Sequence, residues 1–200
     1  MMVMTVSFIG GEKVYFFKTI SEEVRLFQKT FHNFKYMKKL ILVSFLACLA
    51  AIFQSAGGFF PGIGYLISPL ATAPILLCSM FSIPFGFMSY LLTIMLLVIL
   101  QPTELIIFPF TTGLLGLGIG ASLHFLRKRI TIIASGSVLL MVGIMSLLYV
   151  FRYPVLGPVG SDSFSLLTTG GIFLFTFLYS WLWVEAALNI SKRIKPIILK

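Results

Sequence analysis

Six stretches of this chain, at 39–56, 59–80, 84–101, 105–126, 130–151 and 164–189, are apolar over lengths that a soluble fold has no means of hiding. A helix crossing a bilayer needs about 20 apolar residues, at a rise of about 1.5 Å each. Charge, proline or glycine bounds every run. The weakest boundary is Ser82-Ile83-Pro84, between the second and third runs. Together those two runs are too long for one span, and Pro84, which interrupts helical hydrogen bonding, is the natural break. Composition agrees: 58% of the residues are hydrophobic, 10% are charged, and the mean hydropathy is +1.05. Folded surfaces are already about half apolar, so the excess requires lipid as the solvent. The expected fold is all-α: a polytopic integral membrane protein built as a six-transmembrane-helix bundle.

The basic residues give an independent test. Lys13, Lys18, Arg25, Lys29, Lys35, Lys38 and Lys39 precede the first run; Arg127, Lys128 and Arg129 separate the fourth and fifth; Lys192, Arg193, Lys195 and Lys200 follow the sixth. With six spans and the N-terminus inside, all three clusters are cytoplasmic, and Arg152 alone falls outside. Five or seven spans would break that agreement. The expectation is a multi-pass protein of the cell (plasma) membrane with both termini cytoplasmic and the lipid bilayer as its first partner. The net charge of +9 does not point to nucleic acid, because the charges sit in clusters between apolar runs and not on a basic stripe interleaved with exposed aromatics. Tyr179, Trp181 and Trp183 read as an aromatic belt near the cytoplasmic end of the last span. Just beyond them, Glu185 reads either as a coupling carboxylate or as a headgroup-level acid paired with the basic tail, the second being the simpler account.

Two parts follow: residues 1–36, an N-terminal cytoplasmic or interfacial segment, and 37–200, the transmembrane domain. Val24, Phe27, Phe31 and Phe34 recur at near-helical spacing with Arg25, Lys29 and Lys35 elsewhere on the turn, the pattern of a helix lying in the interface plane. The competing account is a start at Met37, whose Met37-Lys38-Lys39 opens an apolar run. From there the chain also mimics a signal peptide, with Gln54-Ser55-Ala56 as a small-residue cleavage site. Cleavage would remove the first span and the charge agreement with it, so an uncleaved first helix is expected.

Catalytic constellations are not recognisable. There is no Gly-x-Ser-Gly with an intramembrane histidine, no His-Glu-x-x-His, and no clustered carboxylates. His32 lies in the amphipathic segment and His124 beside the basic loop. Cys48 and Cys78 sit in apolar runs without metal-ligand spacing. No enzyme activity, cofactor or metal is expected. Proton or ion pumping is also disfavoured, since the spans carry no charge near their centres.

The remaining polar groups gather at the predicted extracellular ends. Gln54 and Ser55 close the first span. Tyr65 and Ser68 lie in the Gly/Pro-rich stretch that begins Phe59-Phe60-Pro61-Gly62. Gln101, Thr103 and Glu104 link spans three and four, and Arg152, Tyr153, Ser161 and Asp162 fall between five and six. Pro69 and Pro74 interrupt span two, and broken helices free backbone groups to line a site. Gln54, Tyr65, Gln101, Glu104, Arg152 and Asp162 are therefore candidates for an outward-facing substrate-binding pocket for a small-molecule solute; the alternative is that they are ordinary loop residues. Gly113, Gly116, Gly118 and Gly120 in span four, including Gly116-x-x-x-Gly120, read as helix packing within the bundle. Ala47 and Ala51 form a similar small face on span one, for internal packing or for a partner protein.

From Met37 to Ala51 the sequence Met-Lys-Lys-Leu-Ile-Leu-Val-Ser-Phe-Leu-Ala-Cys-Leu-Ala-Ala, with Ala47-x-x-x-Ala51, resembles the first helix and docking motif of the substrate-binding S components of energy-coupling factor transporters. The segment that follows, to Pro69, resembles their long first loop, and residues 37–200 match the family's size and layout. The resemblance implies a bacterial six-helix protein that captures a vitamin or metal-related solute and docks, through Ala47 and Ala51, on a transmembrane coupling protein with two ATPases. The chain itself has no Gly-x-x-x-x-Gly-Lys-Ser/Thr phosphate loop. A second functional reading stands beside this one: a non-enzymatic structural or regulatory membrane protein that binds other membrane proteins or lipid headgroups through segment 21–39 and the glycine face of span four.

Overall fold

The computed structural model describes Gln28, Phe31 and residues 34–60, 62–152 and 166–198, with side chains of the last segment at 168–192. The described residues form an all-α fold in which six helices are long and apolar enough to cross a membrane. These are α1 (Tyr36–Phe59), α2 (Gly64–Phe81), α3 (Ile83–Leu100), α4 (Glu104–Phe125), α5 (Arg129–Val150) and α6 (Leu166–Ile198, apolar across Thr168–Lys192). The chain is a multi-pass membrane protein, and each helix coincides closely with the apolar run expected for it. Between α2 and α3 Ser82 alone is extended, with Pro84 in the first turn of α3, where its missing N–H leaves no helical bond unmade.

Alternation of the helices brings Lys38, Lys39, Arg127, Lys128 and Lys192 to one end of the bundle, the basic end. Phe60, residues 62–63 and the turn at 101–103, with Phe151-Arg152, lie at the opposite, far end. In cross-section α2 and α4 pack along each other at the centre, α1 and α3 flank them on one side, and α5 and α6 on the other. One apolar cluster joins α2, α4, α5 and α6 around Leu76, Ile119, Ile133 and Leu188; another joins α1 through α4 around Ala50, Ile75, Leu97 and Phe108.

Glycine makes the central contact possible. A Cβ at Gly116 would lie 2.8 Å from the Thr72 carbonyl oxygen, and one at Gly120 would run into the Ser79 side chain. Gly113 gives way in the same manner to the Phe108 ring, 2.8 Å from its would-be Cβ. All three serve packing inside the bundle. Hydroxyls then fasten the neighbours: Ser79 Oγ donates to Leu117 O at 3.1 Å (α2 to α4), Thr93 Oγ1 to Ala47 O at 3.3 Å (α3 to α1), and Ser137 shares a bond with Thr176 at 3.2 Å (α5 to α6). In lipid such contacts replace the missing hydrophobic drive between helices.

Two expectations change. Ala47 and Ala51 are fully buried against the chain's own helices, so a partner cannot reach them in this arrangement; the outward face of α1 is Ile41, Phe45, Cys48 and Ile52. Trp183 is buried and Tyr179 turns inward to donate to Pro69 O at 3.3 Å, which leaves Trp181 as the ring of that trio facing outward. At the basic end Phe31 is also buried, stacked on Phe81 at 4.6 Å with Lys39 Nζ 5.5 Å above its ring. Phe31 therefore seats on the bundle, and Val24 and Phe27, which the same helical spacing links to it, lie outside the described residues.

Substituting Gly120 with Val forces a branched side chain onto Ser79, and overpacking of this kind costs about 1–3 kcal/mol. We expect a clear drop in the unfolding midpoint of the purified protein in mild detergent. Gly170, whose would-be Cβ meets nothing within 4 Å, tolerates Ala without loss. Equal stability of the two variants would show that α2 and α4 do not meet at Gly120.

Candidate functional site

Helix α4 is not continuous, and its break positions a polar group. Pro109 has no N–H and leaves the helix ladder incomplete. At Thr111 the backbone departs from helical geometry (φ −119°, ψ −97°), and the Thr111 hydroxyl and N–H both turn back to Ile107 O, at 2.8 and 3.1 Å. Tyr90 of α3 donates to the Pro109 carbonyl at 3.2 Å. After this break Thr112 faces α1.

There it begins a three-member chain of hydrogen bonds. Thr112 Oγ1 donates to Gln54 Oε1 at 2.7 Å, and Gln54 Nε2 donates to Glu104 Oε2 at 2.7 Å. The Gln54 amide thus turns its nitrogen to Glu104 and its oxygen to the Thr112 hydroxyl. All three side chains are buried, Gln54 to 1% exposure and Glu104 to 6%. Glu104 opens α4, where the helix dipole favours negative charge. Its second oxygen faces Gly57, whose would-be Cβ would sit 2.8 Å from Oε1 and 3.4 Å from Ser68 Cβ. Only a residue without a side chain at 57 leaves room for the carboxylate.

The chain closes over this group. Gly64 N donates to Phe60 O at 2.7 Å, and any Cβ on Gly64 would collide with the Ala56 carbonyl. That contact holds the start of α2 against the end of α1. Pro69 lies within a 3₁₀ turn at Ser68–Ala71, before α-helix resumes at Thr72, as the two prolines of this segment lead one to expect. Gln101 lies across Gly58 and donates to Thr103 Oγ1 at 3.0 Å.

Of the six residues expected to form a pocket, the fold joins Gln54 and Glu104 directly and sets Gln101 beside them. Tyr65 points away, 68% exposed. Arg152 is exposed past the end of α5 with a left-handed φ of 51°, and makes no described contact with Glu104. Asp162 lies outside the described residues. Thr112 was not anticipated, although Pro109 followed closely by Thr111-Thr112 carried the signal of a broken, polar turn.

A second polar cluster occupies the basic end. Glu185 pairs with Arg129 Nη1 at 3.1 Å, so a described partner is the first residue of α5, while the side chains of the tail at 193–200 lie outside the described residues. His124 Nε2 lies 2.9 Å from Ser79 O and must carry the proton, since the carbonyl can only accept; Nδ1 is left to accept from Gln28 Nε2 at 3.1 Å. Among the described residues no three of His, Cys, Asp or Glu gather as a metal-ligand set. Comparison with protein-family models, with curated proteins and with solved structures finds no match for this chain.

Removing the middle of the far-end chain strands groups on both sides. Gln54→Leu leaves the Glu104 and Thr112 oxygens buried without that partner, a loss of about 1–3 kcal/mol. The triple variant Gln54→Leu, Glu104→Leu, Thr112→Val removes every member and is expected to recover most of the stability. Detergent-based chemical unfolding measures both; a triple variant weaker than the single one would contradict the bonded chain.

Proposed function

We propose that this chain is the solute-capturing membrane subunit of an uptake transporter, similar to the S components, with Glu104, Gln54 and Thr112 as its recognition group. The observation that carries this reading is the buried Glu104 carboxylate. A carboxyl group is costly to withhold from water, and a bundle needing only stability does as well with apolar packing there. Under the positive-inside rule the basic end is cytoplasmic, so the carboxylate faces the exterior, where a solute arrives.

Capture follows from the chemistry of the group. The Gly64 contact holds the segment above Glu104 closed, and a donor-rich or cationic portion of a solute takes the place of the Gln54 amide on Oε2. The displaced Gln54 N–H then needs an acceptor, so the solute portion that fits carries an acceptor beside its donor. With no phosphate loop in the sequence, energy must come from a partner, and a transmembrane coupling protein with ATPases is that partner. The buried Ala47 and Ala51 are closed to it, so docking uses another face.

The second reading, a structural or regulatory protein binding other membrane proteins or headgroups, has one described observation beside it: Gln28 and Phe31 contact the basic end, at His124 and Phe81.

The test is purification of the tagged chain from its native membrane. Stoichiometric co-purification of a coupling protein and paired ATPases is expected, together with a small molecule released on denaturation. Glu104→Gln should lower that molecule at least tenfold, and Arg152→Ala should leave it within about twofold. Recovery of an unrelated partner, with no small molecule, would move the assignment to the second reading.

A further inference from the structure

Between α4 and α5, on the outer surface of the bundle, runs a groove of about 450 Å³. It reaches from Leu114 to Leu126, and its walls include Leu117, Gly118, Ala121, Phe125 and Leu139. Two hydroxyls lie in it, Ser122 and Ser135, and they are bonded to each other at 2.9 Å, so the lining offers little for a polar ligand to bind. Leu139 packs directly against Gly118, where a Cβ would meet its Cδ1, and the small Ala121 lies between the larger Leu117 and Phe125 along the groove.

The groove's dimensions and its surroundings identify an occupant. Along α4, Leu114 to Leu126 spans about 18 Å at 1.5 Å per residue. That is close to one leaflet, half of a hydrocarbon core of roughly 30 Å. The groove ends at the basic end, where Phe125 and Leu126 are followed at once by Arg127 and Lys128, both exposed. Neighbouring Arg129 is turned inward to Glu185. A leaflet-long apolar slot that terminates in two exposed cations matches a lipid with an acyl chain below and a negative phosphate headgroup above.

We infer that the groove between α4 and α5 holds one acyl chain of an anionic phospholipid whose headgroup phosphate is bound by Arg127 and Lys128. A zwitterionic lipid fits the slot equally well but gains less at its mouth, since its own cation opposes the two basic residues. This site is independent of the far-end recognition group and of the transporter assignment.

The test is native mass spectrometry of the purified full chain titrated with phosphatidylglycerol or phosphatidylcholine of identical acyl composition. One phosphatidylglycerol should be retained at least tenfold more tightly than phosphatidylcholine. The variant Arg127→Gln with Lys128→Gln, at two exposed positions, should abolish that preference. Ala121→Phe, which fills the slot, should weaken both lipids. Equal retention of the two lipids by the unaltered protein, or an unchanged preference in the double variant, would overturn the proposal. So would unchanged phosphatidylglycerol binding in a folded Ala121→Phe protein, including the case where that substitution instead splits a dimer of the chain. Should Ala121→Phe fail to fold, the double variant decides alone.

Discussion

The close approach of α2 and α4 is the contact on which the other helices depend. Helices in lipid gain little by hiding apolar surface from one another, so association relies on dispersion and on backbones that come near enough to exchange polar contacts. Gly116 and Gly120 permit that approach, and Ser79 uses it: a Cβ at Gly120 or at Gly86 would run into Ser79, which donates to Leu117 O across the gap. Ser79 is thus held between α3 and α4 from its place on α2. With this three-helix contact set, α1 closes on α2 and α3, and α5 and α6 pack on the other flank. Each flank is then secured by a hydroxyl bond, and such bonds average only about 0.6 kcal/mol in membranes. They align helices that small residues have already allowed to meet.

Polar groups in the interior follow the same economy. Most are serines and threonines, and some of these satisfy themselves on a nearby carbonyl, as Ser55 does on Ala51 O at 2.7 Å and Thr93 on Ser89 O at 2.8 Å. Glu104 differs, because a carboxylate needs donors from elsewhere. Supplying them takes the Gln54 amide from α1, orientation of that amide by Thr112, a break in α4 at Thr111 to aim Thr112, and a glycine at 57 to leave room. Four positions on two helices serve one side chain. That concentration of constraint is the physical ground for treating the far end as functional.

Much of the fold was legible in the sequence, and for a direct reason: lipid imposes length and apolarity on each helix separately, so a one-dimensional pattern suffices. Pro84 marked a helix start and Pro69 an irregular turn, both from local covalent geometry. The site was legible in part. Gln54 and Glu104 stand out as polar residues bordering apolar runs, but Thr112 sits within such a run, and threonine there usually bonds its own helix. Tyr65 and Arg152 could be placed at the far end but not oriented, because which way a loop side chain points depends on three-dimensional packing. The alanines illustrate the same limit. Ala47-x-x-x-Ala51 announces that a backbone comes close, here that of α3 through Thr93, without saying whether it belongs to the same chain. Tyr179 and Trp183 were read as interfacial from their types, whereas the inward carbonyl of Pro69 gives the Tyr179 hydroxyl a partner inside.

The two ends of the bundle solve opposite electrostatic problems. At the basic end the cations are numerous, and the burial of Arg129 is compensated within the protein by Glu185, while Arg127 and Lys128 stay at the surface. At the far end the described acid is buried and compensated by neutral donors, an amide and, through it, a hydroxyl. Neutral donors stabilise a carboxylate less than a cation does, and they exchange without leaving a charge stranded behind them. An Arg129-type partner for Glu104 would have made a more permanent contact. The Gln54 amide holds the carboxylate in place yet leaves it able to accept a stronger donor. Such an arrangement suits a group meant to meet a ligand better than one meant only to hold helices together.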